Sequence, residues 1–337
     1  MSHRARQLKV SSLARVEGEG ALYVIVRDGQ VERADLQIYE PPRFFEALLR
    51  GRGYTEPPDI TARICGICPV AYQTSACNAI EDACGVRVGG PIREVRRLLY
   101  CGEWISSHAL HIYLLHAPDF LGYPDAIALA ADHREIVERG LMLKKAGNAI
   151  LELVGGRAIH PINVRVGGFY AAPSRAQLDR LAEQLRPALD AAVATVRWVA
   201  GFGFPDVELD HELLAVYDPA RYAIEGRTTL RRSAGPSFEV DTFSNHVVEE
   251  HVPHSTALHA SLDGGLYLTG PLARYTLNHE QLTPLALELA AEVGLGNECR
   301  NPFRSIVVRA IETVYAVEEA LRLIESYEPP EPPYVAV

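Results

Sequence analysis

The chain has 337 residues, 48% of them hydrophobic and 23% charged, with a mean hydropathy of −0.01, which suits one large or two ordinary domains and excludes a disordered chain. Its formal net charge of −10, with lysines and arginines scattered rather than striped, argues against a nucleic-acid surface, because neutralising phosphates takes clustered cations. The longest apolar stretches, Ala126 to Ala131 and Leu285 to Val293, are too short or too charged to span a bilayer, so no membrane insertion is expected.

The basic residues within Met1 to Val10 have no apolar run behind them and do not read as a secretory signal, although export on a partner's signal stays possible. Residues 21 to 39 read as a hairpin. Ala21 to Arg27 is rich in β-branched and aromatic residues, Asp28-Gly29 supplies the turn, and Val31 to Tyr39 alternates back. Helical spacing follows: Arg43 to Arg50 as a short helix stopped by Gly51, a second helix from Pro69, a third from about Ile92 to His116 and a fourth over roughly Asp132 to Val154, ended by Gly155-Gly156. After a Gly/Pro-containing connection to Pro173, Ser174 caps a long helix reaching Val199. Residues 201 to 271 are mixed, with strand-like runs such as Ser237 to Phe243. A last long helix is expected from Ser305 to Tyr327, followed by the extended, Pro-rich YEPPEPPYVAV.

The expected fold is therefore α+β, mainly α: an N-terminal antiparallel β hairpin followed by a bundle of long helices. Three regions are suggested: 1–60 with the hairpin and short helix, 61–200 as the helical core, and 201–337 as a mixed region closing on the long helix. No internal repeat is visible.

Six cysteines are too few for a disulfide scaffold in a chain of this length, and four of them crowd between residues 65 and 84, which points to metal or redox chemistry in a reducing, cytoplasmic compartment. Arg63 to Pro69 reads RICGICP. A CxxC brings two sulfurs close enough to clasp one metal, and Gly66 lets the backbone fold between them. Pro69 suits the first position of a helix, leaving Cys68 at its N-cap. The positive helix end and the Arg63 guanidinium then favour thiolate over thiol. Soft thiolates select zinc, iron-sulfur, copper(I) or nickel centres. A four-cysteine site with Cys77 and Cys84 is disfavoured, since seven helical residues separate them by roughly 10 Å along the axis. A redox pair and buried inert cysteines remain as alternatives.

The wider sequence narrows this. Residues 63 to 85, RICGICPVAYQTSACNAIEDACG, resemble the first cysteine motif of nickel-iron hydrogenase large (alpha, catalytic) subunits, and Tyr72 is similar to the bidirectional, NADP-linked sulfhydrogenase branch. RVEGEG at 15–20, RFFEALLRGR at 43–52, SHALH at 107–111 with PDFLG at 118–122, and GRAIHPINVRVGG at 156–168 follow in the family's order. The resemblance implies reversible oxidation of dihydrogen at a Ni-Fe centre with diatomic iron ligands. It implies Cys65 as a terminal nickel ligand and Cys68 as a bridge between nickel and iron. Arg63 stands beside them, Glu17 would relay protons, and Glu46, nineteen residues before Cys65, would bind a structural magnesium. It also implies an iron-sulfur small subunit as electron acceptor, diaphorase-type subunits and maturation proteins as partners, with His160 and Arg157 near the small-subunit interface.

Tyr72 stands where many relatives have histidine, and Ser107 where the respiratory branch has aspartate, which suggests different surroundings for the same reaction. The family's second cysteine motif, DPCxxC, does not occur; after Cys101 the sole cysteine is Cys299. The expectation is a C-terminally truncated or split large subunit, inactive alone. The alternatives are a hydrogenase-derived, non-catalytic complex subunit or a simple thiolate zinc-site protein. Retention of Cys65, Cys68 and Glu17 together favours the first.

Other features fit ordinary roles better. His108 and His111 lie one helical turn apart, but such pairs more often hydrogen-bond locally. His246, His251 and His254 do not form HExxH, and Pro253 breaks the helix a zinc protease would need. GFGF at 201–204 lacks a phosphate-loop continuation, so any NADP chemistry belongs to another subunit.

Overall fold

The computed structural model describes every residue except 1–4, 17, 42 and 227. Its contacts divide the chain into two compact units, one made of Met1–Arg50 with Asp241–Tyr267, the other of Gly51–Val240 with Leu268–Val337.

The smaller unit is built on an antiparallel sheet of three strands, β1 (Arg6–Val10), β2 (Gly20–Arg27) and β3 (Gln30–Ile38), in the order β1-β2-β3. Asp28 and Gly29 both take positive φ, 53° and 81°, the geometry a two-residue hairpin turn needs to match the strand twist. The expected hairpin is thus present, joined by β1, which the sequence reading missed. RQLKV is short, mostly exposed and paired on one side alone, so it carries little of the alternation that marks a half-buried strand. The short helix α1 (Arg43–Leu49) follows, as expected. Residues far along the chain complete this unit: Val247–Glu250 and His259–Leu262 pair antiparallel, and Thr256 donates from both N and Oγ1 to the Ile38 carbonyl, at 2.9 and 2.8 Å.

In the larger unit, α2 (Pro57–Thr61) leads to α3 (Pro69–Ala83), and α3 to α4 (Gly90–Leu110). Two short helices, α5 (Ala117–Leu121) and α6 (Ala126–Asp132), precede α7 (Arg134–Gly155). The two-residue strands β4 (Val164–Arg165) and β5 (Gly168–Phe169) form a small hairpin before α8 (Arg175–Ala200). Ser174 closes a reciprocal capping box with Gln177, and Leu178, Leu181, Leu185, Ala188 and Ala192 bury one stripe of α8, each leucine contributing about 2 kcal/mol. The last long helix, Ser305–Glu325, is buried on nearly every side and packs on α4 and α8.

The α4–α7 pairing brings two backbones nearly into contact. A Cβ on Gly147 would lie 2.5 Å from the Ser106 amide nitrogen and 2.6 Å from the Gly102 carbonyl, so nothing larger than glycine fits at this crossing.

Three expectations change in detail. The third helix does not run unbroken from Ile92 to His116: regular turns end at Leu110, and His111–His116 form a wider π turn. Pro118 explains the change, since it has no N–H to return to the Leu114 carbonyl and its ring crowds that position. Of Ser237 to Phe243, Phe238–Glu239 alone is strand; a tight turn at Val240–Thr242 and a short helix at Phe243–His246 follow. Helices α6, Pro271–Asn278 and Pro284–Glu292 were not anticipated; Asp125 caps the first and Thr283 the last.

The Pro-rich end is extended, as expected, and adds to the β4–β5 hairpin: Phe169 N donates to Pro333 O at 3.0 Å and Val335 N to Gly167 O at 2.9 Å. Arg165 lies over the Tyr334 ring, 4.1 Å from its centre. No helix among the described residues is long and apolar enough to cross a membrane.

Candidate metal centre

The cysteine loop is shaped by its two flanks. On the upstream side α2 passes into a tight turn, Ala62–Ile64, and Cys65 then adopts an extended backbone, φ −143° and ψ 132°. Downstream, Pro69 occupies the first turn of α3, which leaves Cys68 as N-cap, the arrangement expected from RICGICP. The loop folds back on itself. Ile67 N and Cys68 N both lie 3.3 Å from Cys65 Sγ, so two backbone dipoles point at a sulfur that is 7% exposed. Such donors stabilise negative charge on sulfur.

The Cys68 side chain does not cap α3. Two of the helix's first N–H groups go instead to Glu103, from α4: Val70 N donates to Oε2 at 2.6 Å and Ala71 N to Oε1 at 3.2 Å. Glu103 is 3% exposed, and burial pushes its carboxyl up to about 8 against the pull of those two donors. The sequence reading missed this residue. The available signal was a glutamate on the buried stripe of a long amphipathic helix, together with a helix start whose N-cap, cysteine, is a poor capping residue.

A second connection ties the loop to GRAIHPIN. His160 Nδ1 lies 2.6 Å from Ala62 O, Arg157 Nε donates to His160 O at 2.6 Å, and the buried Gln73 of α3 donates from Nε2 to Pro161 O at 2.7 Å. Ile159 and Ile162, 58% and 52% exposed, place apolar surface on this same segment.

The other sequence candidates fall as follows. Arg63 is exposed on the turn before Cys65; the carboxyl of Asp59, pushed up by burial, feels the opposing pull of Arg63 and Arg157. Glu17 lies outside the described residues. Glu46 is on α1 in the smaller unit, where its Oε1 is 2.7 Å from Arg43 Nη1, while Arg43 Nη2 also reaches Glu249 at 2.8 Å. Tyr72 is half-buried on α3, and Thr61 Oγ1 lies 3.4 Å from its carbonyl. Ser107 O accepts from His111 Nδ1 at 2.7 Å, a local bond as expected, whereas His108 Nε2 is 2.9 Å from Glu312 Oε2 on the Ser305–Glu325 helix, so the two histidines turn to separate partners.

Cys77 and Cys101 are fully buried, and burial pushes each thiol up to about 12. Cys84 is exposed at the end of α3, and Cys299 is buried. Among the described residues no three His, Cys, Asp or Glu side chains converge as a metal site. Cys65 and Cys68, with two backbone donors aimed at Cys65 Sγ and an N-cap thiol that makes no capping bond, fit a soft metal as two of its ligands.

Residues 43–139 match the nickel-dependent hydrogenase family. The chain is 36% identical over 322 residues to the sulfhydrogenase 2 alpha subunit of Pyrococcus furiosus and 33% identical over 320 residues to the sulfhydrogenase 1 alpha subunit of that organism, covering 94% of this chain and 74% of each relative. Among solved structures it is similar to an NAD+-reducing [NiFe]-hydrogenase in the H2-reduced state, with a TM-score of 0.82 and 26% identity over 96% of this chain and 78% of that one. It shares its fold with the Ni-Fe-Se hydrogenase of Desulfomicrobium baculatum, with a TM-score of 0.81 at 21% identity over 98% of this chain and 82% of that one. With the cysteine loop in place at the start of α3 and these relatives matched along nearly the whole chain, the protein belongs to the nickel-dependent hydrogenases, oxidoreductases acting on hydrogen, as a large subunit.

Proposed function

We propose that this chain holds one half of a nickel-iron centre and serves the reversible oxidation of dihydrogen to protons and electrons. The observation that carries the proposal is the Cys65–Cys68 loop, with two backbone N–H groups aimed at Cys65 Sγ and the Cys68 side chain left free of the capping role. Cys65 and Cys68 would be the two thiolates by which this chain holds the metal pair. When bound, the metal pair supplies the chemistry that splits dihydrogen.

The chain's own residues prepare that site and clear it of protons. The backbone donors of Ile67 and Cys68 fix the Cys65 sulfur in place, Arg63 adds positive charge to the loop, and the Glu17 carboxylate takes a proton and passes it outward. Glu46 binds a structural magnesium, which requires it to exchange its pairing with Arg43 for the metal.

Electrons leave to an iron-sulfur partner subunit, docked where Ile159 and Ile162 are exposed beside the loop, and from there through diaphorase-type subunits to NADP in the cytoplasm. Maturation proteins deliver the metals and the diatomic ligands of iron.

The test is isotope exchange between dihydrogen and water, measured together with metal content, on the enzyme assembled with its partner subunits. Glu17→Gln is expected to suppress exchange with nickel and iron retained; Cys68→Ser is expected to lose both metals. Unchanged exchange in Glu17→Gln removes the relay, and stoichiometric zinc in place of nickel overturns the assignment of the centre.

A further inference from the structure

We propose that Glu103 is a positioning residue for the cysteine pair: by capping α3 from the neighbouring helix, it releases the Cys68 side chain from capping and fixes the helix start on which Cys68 sits. The inference rests on the reading of Cys65 and Cys68 as metal ligands.

A helix beginning at Pro69 exposes N–H groups at its next positions that need acceptors. An N-cap side chain normally supplies one. A thiolate committed to a metal cannot, and Cys68 makes no capping bond. Left unmet inside the fold, those donors would draw the Cys68 sulfur back over the helix end or loosen the first turn, at a cost of about 1 to 3 kcal/mol for each buried group. Glu103 removes the conflict with its two oxygens, one to Val70 N and one to Ala71 N.

The Glu103 carboxyl group is itself held in place. Glu103 is 3% exposed and lies on the buried face of α4, beside Trp104 and one turn from Leu99. The loop is gripped on its upstream side by His160 at Ala62 O, and Gln73 of α3 holds the same segment through Pro161 O. Cys65 and Cys68 are thus held between two anchors, and Glu103 sets the one on the Cys68 side.

The test uses the full chain and reads the pair without relying on nickel. Phenylarsine oxide condenses with two neighbouring thiols, forming two As–S bonds and releasing water, and its affinity reports their spacing; Cys65→Ser and Cys68→Ser identify the pair bound. Glu103→Leu is expected to weaken arsenical affinity about tenfold, the size of losing a buried hydrogen-bond anchor. Glu103→Gln, which keeps an acceptor oxygen for Val70 N, is expected to recover most of that loss. Ile311→Val, a cavity change in the Ser305–Glu325 helix, controls for general destabilisation and should leave the affinity unchanged.

Parent-like affinity in Glu103→Leu overturns the proposal, as does equal weakening by Glu103→Gln or by Ile311→Val. Nickel content is measured in parallel on the parent matured and assembled with its partner subunits. An assembled parent without nickel removes the metal reading, while the arsenical series on the full chain still decides whether Glu103 positions the pair.

Discussion

His160 Nδ1 lies 2.6 Å from the carbonyl oxygen of Ala62, and the histidine backbone stands at φ +50° to place it there. A carbonyl can only accept, so Nδ1 carries the proton. Positive φ is uncommon for a residue with a Cβ, and its persistence indicates that surrounding contacts hold it. Arg157 Nε on His160 O and Gln73 Nε2 on Pro161 O are two of them.

His160→Ala should therefore keep the unfavourable backbone and lose the bond, destabilising the chain by about 1 to 2 kcal/mol. His160→Gly should cost less, because glycine relieves the backbone. Denaturant unfolding of both variants distinguishes them, and cleavage within residues 156–163 by a protease should quicken in the alanine variant first. Equal stability of His160→Ala and the parent would show that the bond does not hold the loop.

Glu312 is the hub of a buried polar cluster. It is fully buried and accepts from Tyr222 Oη at 2.8 Å and from Arg274 Nε and Nη2 at 2.9 Å each, with His108 Nε2 2.9 Å away. Despite the opposing effect of burial, Arg274 and His108 hold the Glu312 carboxyl down at about 2. Burial pushes His108 down to about 4, helped by Arg309 and Arg274. In the folded chain His108 thus binds its proton later than it would unfolded. Its contribution is fully present above pH 6.5 and is lost as pH falls toward 4, about 3 kcal/mol in all. Glu312, lowered from 4.5, contributes above pH 4.5 and loses its contribution as pH falls toward 2. Stability measured by urea unfolding should decline between pH 6.5 and 4, and His108→Gln should flatten that decline. Glu312→Gln, which strips the counter-charge from Arg274, should cost about 3 kcal/mol at neutral pH.

The crossing of α4 and α7 gives a steric prediction. Gly147→Ala puts a methyl group 2.5 Å from the Ser106 amide nitrogen, and since that atom is backbone it cannot swing aside. Overpacking of this kind costs about 1 to 3 kcal/mol, offset by at most about 1 kcal/mol of gained helix propensity. Thermal unfolding of Gly147→Ala should show a net loss; a gain would mean that the helices separate freely.

What could be read in the sequence was local and periodic. Asp28-Gly29 announced its hairpin, Pro69 placed Cys68 at a helix start, and Ser174 marked the opening of α8, because each depends on residues within one turn of itself. Thr256 on Ile38 and Glu103 on Val70 and Ala71 depend on which elements meet in space, and no local pattern encodes that. The π turn at His111–His116 was hidden for another reason: its residues keep the apolar spacing of an ordinary helix, and Pro118, just beyond, sets the change. The resemblance of RICGICP to the hydrogenase motif singled out Cys65 and Cys68. It said nothing of what relieves Cys68 of capping.

The cysteines themselves offer the last test. Reaction with iodoacetamide requires a thiolate that the reagent can reach. Cys77 and Cys101 fail on both counts, being fully buried with thiols pushed up to about 12 by that burial. Cys84 is exposed at the end of α3, and Cys68 is half-buried at its start, beside the exposed Gly66. In the native chain at pH 8, Cys84 and Cys68 should therefore be alkylated first, with Cys77 and Cys101 untouched until the chain is unfolded. Cys65, 7% exposed with its sulfur turned toward the amides of Ile67 and Cys68, should react more slowly than Cys68 despite lying three residues away. Peptide mapping by mass spectrometry gives the order. Labelling of Cys77 or Cys101 at the rate of Cys84 would contradict the burial of the faces they occupy. Faster labelling of Cys65 than Cys68 would mean that the loop does not turn the first sulfur inward.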